Sequence, residues 1–139
     1  MTMQHWANRY LGKPWEKAAE GPHAYDCYGL VRAIYRDFLQ IDLPLFDIAA
    51  MSPVAIRRDM HTEAGSGRWQ PLDFDTEPLR DFDVLLMSYA KRAHHVGIWV
   101  EVDGGRVLHA LEGAGVVAPS WHSLPMSGWR VIEAYRRKL

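Results

Sequence analysis

Hydrophobic positions follow two different rhythms along this chain. From residue 26 to 39 the apolar residues Leu30, Val31, Ile34, Tyr35, Phe38 and Leu39 recur every three or four positions, with Arg32, Arg36 and Asp37 between them. That spacing predicts an amphipathic helix. Asp26 stands where an N-cap belongs, and the pattern ends before Pro44. A short opening helix is predicted over 3–11, ended by Gly12 and the Lys13-Pro14 step. A smaller one is predicted from about Pro53 to His61, with Ser52 as its cap and proline at its first position. Residues 16–25, punctuated by Gly21-Pro22, read as a loop, and Gly65-Ser66-Gly67 breaks the chain again.

The second half changes period. Val84–Tyr89, Val96–Val102, Arg106–Leu111, Gly115–Pro119 and Trp129–Tyr135 are short runs rich in β-branched and aromatic residues, which predicts strands. Asp103-Gly104-Gly105 predicts a tight hairpin turn between two of them. Helices first and antiparallel strands after give an α+β domain, with helices packed on a sheet of about five strands. Apart from that short helix, residues 41–80 read as a lid or a surface insertion. No repeat or linker divides the chain, so residues 1–139 are expected to form a single domain.

Composition removes several classes of function. With 48% hydrophobic and 24% charged residues the chain is a folded globule rather than a disordered one. The net charge of −1 comes without a basic stripe, which argues against a nucleic-acid partner. Arg57-Arg58 and Arg136-Arg137-Lys138 are short enough to be solvated surface. Residues 1–10 lack the apolar stretch of a secretory signal and no window reaches the length of a membrane span. Synthesis in the cytoplasm is therefore expected. One cysteine excludes an internal disulfide and leaves that thiol as core residue, metal ligand or nucleophile.

That residue, Cys27, opens the strong helix. There it points into unpaired backbone N–H groups, whose field favours the thiolate that attacks carbonyls and can hold the resulting oxyanion. Position alone favours a plainer alternative, a cysteine packed in the core. A nucleophile also needs a base and a group that orients it. His95 and His109 lie on the two strands of the predicted hairpin and share side-chain parity, so both face one side of the sheet if no bulge intervenes. A three-residue loop, however, sets His109 opposite Trp99, about 13 Å along the sheet from His95. His94 is the alternative base but points to the other face. A zinc site built on Cys27, His95 and His109 lacks a fourth ligand and the short paired spacings of such sites. His5, His23, His61 and His122 have no comparable setting. Asp81, Asp83 and Asp103 fall at strand edges and turns, where acids sit exposed, and do not suggest a two-carboxylate glycosidase. Most of the aromatic residues are expected to fill the core.

In this order, Asp26-Cys27-Tyr28-Gly29-Leu30-Val31, His95-Val96-Gly97-Ile98-Trp99 and His109-Ala110 resemble the NlpC/P60 family of cell-wall cysteine peptidases. Tyr10 to Trp15 and Asp81 to Met87 add weaker matches, and together these run from about residue 6 to 112. The resemblance implies a papain-like fold and a Cys–His–His site, with Cys27 as nucleophile, His95 as general base and acid, and His109 as orienter. It implies no metal and no cofactor. The implied reaction is hydrolysis of amide bonds in peptidoglycan stem peptides, commonly next to D-glutamate and diaminopimelate, through a thioester. Tyr28, where many members have serine, is similar to a tail-associated branch, which implies phage or prophage tail proteins as partners and a virion location. Two other readings share these residues. One is a papain-like acyltransferase or amidase on another substrate, the other a non-catalytic tail module.

Overall fold

The computed structural model describes residues 5–45, 53–89 and 92–139, and the side chains of these except 53–57 and 92–94. The strongest helical pattern becomes α1, Cys27–Ile34, which buries Leu30, Val31, Ala33 and Ile34. One wider helical turn, Tyr35–Leu39, continues it. It stops at Gln40, whose φ of 54° lets its N–H close on the Tyr35 carbonyl. The expected opening helix is only a 3₁₀ turn, Trp6–Arg9, where His5 Nδ1 accepts from the Ala7 N–H at 3.2 Å.

Among the described residues six strands form one antiparallel sheet in the order β1-β6-β2-β3-β4-β5. They are β1 (Trp69–Leu72), β2 (Val84–Tyr89), β3 (Arg92–Val100), β4 (Arg106–Leu111), β5 (Gly115–Val117) and β6 (Trp129–Arg137). The extra strand relative to the expected five is β1, too short to show alternation and interrupted by Pro71. A proline of this kind is tolerated at a sheet edge, which is where β1 lies.

Side-chain alternation gives the sheet two apolar faces. On one, Val96, Ile98, Val100, Leu108 and Ala110 pack with Leu30, Val31 and Ile34 of α1. On the other, Leu85, Met87, Trp99 and Val107 are covered by Leu72, Leu79 and Leu124. Helix α1 lies on β3 and β4, while α2 (Pro53–Ala64) lies on β3 and β1. The region read as a lid or insertion thus supplies a helix and an edge strand of the fold itself. Helix α2 runs on past His61, and the Ser52 cap expected for it lies outside the described residues.

Two surface expectations are overturned because β6 lies inside the sheet, flanked on both sides. Asp83 is 1% exposed, and Arg136 donates to its carboxylate from Nε at 2.9 Å and Nη2 at 2.7 Å. Arg137 lies 5.3 Å above the Trp69 ring. Arg136 and Arg137 therefore tie β6 to its neighbours, while Lys138 is exposed as expected. Among the described residues no helix is long and apolar enough to cross a membrane.

Candidate active site

The loop between β3 and β4 decides whether the two histidines can meet. It is longer than the expected turn: Val100 pairs with Arg106 and Ile98 with Leu108, leaving 101–105 outside the ladder. Gly105 N–H donates to the Val102 carbonyl at 2.9 Å across Asp103 and Gly104, whose φ values are 51° and 81°. Two consecutive positive φ angles make the mirror-image turn that suits a twisted hairpin, and a glycine accommodates the second at no steric cost. Continued from Ile98↔Leu108, the register sets His109 opposite Gly97 rather than Trp99, and His95 becomes its diagonal neighbour.

The two imidazoles then touch, with His95 Nε2 2.9 Å from His109 Nδ1. Gly97 leaves the space for this, since a Cβ there would stand 3.2 Å from His109 Cβ and 3.0 Å from the Leu108 carbonyl oxygen. The bulge that could have spoiled the parity falls just beyond the pair. Met87 pairs with His95 and Ser88 with Ala93, so His94 is the extra residue, and its side chain lies outside those described.

Both histidines are buried, His95 to 6% exposure and His109 to 1%. Burial lowers the His109 pKa to about 4, so its ring is neutral near pH 7. Nε2 of His109 has no hydrogen-bond partner among the described residues.

Cys27 is the first residue of α1, and its position is secured from the N-terminal side. Asp26 accepts from Gly29 N–H at 2.5 Å and from Ala18 N–H at 2.9 Å, while its own N–H donates to the Ala19 carbonyl at 2.9 Å. Gly29 is required here because any Cβ would run into the Ala19 carbonyl. Across from this turn, the ladder between β3 and β4 begins only at Ile98, and the backbone N–H of Val96 acts on the Cys27 sulphur. That sets the sulphur beside the residue that follows His95.

The thiol's charge differs from the sequence expectation. Burial, followed by the adjacent Asp26 carboxylate, pushes the Cys27 pKa up to about 12. The N–H groups of Val96, Tyr28 and Cys27 pull the other way without winning. Although Cys27 is only half-buried, desolvation of the anion outweighs the field of the helix end and favours the neutral thiol.

The other histidines with described side chains do not join the site. His61 Nε2 lies 3.0 and 3.1 Å from the two Glu133 oxygens, with Tyr135 donating to the same carboxylate at 2.6 Å. His23 and His122 are exposed. Among the described residues no three His, Cys, Asp or Glu side chains converge as a metal site. One neighbour escaped the sequence reading. Trp129 of β6 lies with its ring centroid 4.3 Å from that of His95. Only the strand order, which carries β6 next to β2, brings these distant residues together.

A helix-opening cysteine laid against an antiparallel sheet, with a hydrogen-bonded histidine pair on adjacent strands, defines a papain-like α+β domain. The model of the NlpC/P60 family matches residues 12–134, and the chain belongs to that family of cysteine peptidases. Among solved structures it is similar to NlpC2 from Trichomonas vaginalis, at 22% identity and a TM-score of 0.66, covering 94% of this chain. It is similar also to the NlpC/p60 domain of the peptidoglycan hydrolase SagA, at 20% identity and a TM-score of 0.59, again covering 94% of this chain. The chain spans 43% of the length of the first and 92% of the second. These likenesses show a shared fold. No curated protein gives a significant match.

Proposed function

We propose that this chain is a cysteine endopeptidase that hydrolyses amide bonds in peptidoglycan stem peptides, next to D-glutamate and diaminopimelate. The observation that carries the reading is the His95–His109 contact at 2.9 Å, with Cys27 opening α1 against the Val96 N–H, in a chain of the NlpC/P60 family. The SagA domain it resembles belongs to a peptidoglycan hydrolase, which supports the substrate class.

In this reading His95 takes the thiol proton as Cys27 Sγ attacks the scissile carbonyl. The proton moves in step with attack, since the thiol is neutral at rest. His109, neutral at working pH, accepts from His95 Nε2–H through its Nδ1 and so leaves the other ring nitrogen of His95 as the base. The first N–H of α1, on Cys27, offers a donor to the oxyanion of the tetrahedral intermediate. Collapse breaks the C–N bond, and the leaving amine takes the proton from His95. Water, deprotonated by His95, then cleaves the thioester, releasing the acid and restoring the thiol.

The test is digestion of defined muropeptides with products identified by mass. Wild-type protein should release stem-peptide fragments, and Cys27→Ala should release none while keeping its fold. Wild-type inactivity on every wall chemotype between pH 5 and 9 would overturn the proposal. The setting inferred is a phage or prophage tail, supported by the resemblance at Tyr28; neighbouring genes unrelated to tails would count against it.

A second reading, acyl transfer from lipid, is favoured by one observation. A largely apolar cavity opens next to Tyr28, the residue after the cysteine, lined also by Val31, Leu43, Met60, Leu86 and Val96, with Glu63 at its wall. The mass of an adduct trapped on Cys27 separates an acyl chain from a peptide.

A further inference from the structure

We infer that Trp129 is a positioning residue for His95, an inference that rests on the catalytic role proposed above for that histidine. The indole lies 35° from the plane of the His95 ring at a centroid distance of 4.3 Å, and meets the His109 ring nearly edge-on at 6.1 Å. One side chain on β6 thus touches both members of the pair, reaching across the intervening strand β2.

The indole is itself held in place. Trp129 pairs across the strands with Tyr89, and their rings lie 5.4 Å apart at 58°. Gly128, at φ 92°, turns the chain into β6, and a Cβ there would stand 2.5 Å from the Tyr89 ring. Tyr89, Gly128 and Trp129 therefore fix one another before His95 is considered.

The hydrogen bond to His109 fixes one nitrogen of His95. A flat indole close beside the ring restricts its rotation. The same surface suits the charge His95 acquires. On taking the thiol proton His95 becomes a cation, and a cation near an indole face is attracted to it. That gain exists only while the proton is on His95, so losing it should lower kcat and leave KM almost unchanged.

The experiment compares Trp129→Met, which keeps bulk but has no ring, with Trp129→Phe, which keeps a smaller one. NMR of the His95 ring protons reads the contact directly, because a ring overhead shifts them upfield. The shift should vanish in Trp129→Met and persist in reduced form in Trp129→Phe. Stem-peptide turnover should fall about tenfold in kcat for Trp129→Met, with Trp129→Phe restoring most of it. Should Trp129→Met fail to fold, the reduced shift in Trp129→Phe carries the test. A His95 signal identical to wild type in the ringless variant, or in Trp129→Phe, overturns the inference; so does unchanged kcat in a folded ringless variant. If wild-type protein cleaves no wall peptide, the catalytic reading fails while the NMR arm still decides whether the indole holds the imidazole.

Discussion

Replacing Gly97 with alanine tests how the fold makes room for the histidine pair. Gly97 faces His109 across the β3–β4 ladder, and a methyl group there would stand 3.0 Å from the Leu108 carbonyl oxygen, 3.1 Å from Met87 Sδ and 3.2 Å from His109 Cβ. Met87 can swing aside. The carbonyl belongs to the neighbouring strand and cannot move without moving β4. Overpacking of this kind costs about 1–3 kcal/mol. A domain of this size loses roughly 3–5 °C of Tm per kcal/mol, so the fall should lie near 3–15 °C by differential scanning calorimetry. The clash also presses on His109, whose Nδ1 is 2.9 Å from His95, so kcat for stem-peptide cleavage should drop about ten- to a hundredfold. Gly104→Ala is the control. It meets nothing within 4 Å and sits at φ +81°, so it should cost about 1 kcal/mol of backbone strain and leave kcat alone. A Gly97→Ala protein with wild-type Tm and kcat would refute the role given to this glycine.

Two further outcomes follow from burial of charge. Because enclosure and the Asp26 carboxylate push the Cys27 thiol up to about 12, iodoacetamide labelling without substrate should climb about tenfold per pH unit from pH 6 to 9. Asp26→Asn should speed labelling at pH 8, and fast labelling that stays flat over that range contradicts the account. His109, lowered to about 4 from an unfolded value of 6.5, binds its proton more readily in the unfolded chain. Its contribution to stability is therefore complete above pH 6.5 and is lost as pH falls towards 4, by about 3 kcal/mol in all. Denaturant melts of wild type and His109→Gln should converge over that window, and parallel curves would contradict this sign.

What could be read from the sequence was whatever local spacing encodes. Leu30 to Leu39 announced α1, Asp26 its cap, and two of the strands, Val84–Tyr89 and Arg106–Leu111, had the predicted bounds. The family motifs pointed to the two histidines that the fold brings together. The hairpin register was not legible, because Asp103-Gly104-Gly105 names a turn without saying that Glu101 and Val102 also leave the ladder. Strand β1 was hidden by its brevity and its proline. The thiol's charge state was missed for a different reason: a helix end is visible in a sequence, but the desolvation that opposes it depends on tertiary packing. Asp83 and Arg136 were taken for surface residues on the same ground, being polar residues whose burial depends on where β6 is inserted.

That insertion has a consequence in time. Strand β6 comes last among the strands in chain order, yet it lies between β1 and β2, and it carries Trp129 to the histidine pair. On a ribosome the earlier strands emerge first, with β1 and β2 unable to close over the gap that β6 will fill. The completed sheet, and the environment of His95 with it, must wait for the last strand to be made. In the proposed hydrolase, the surroundings of His95 are thus the last part of the sheet to form.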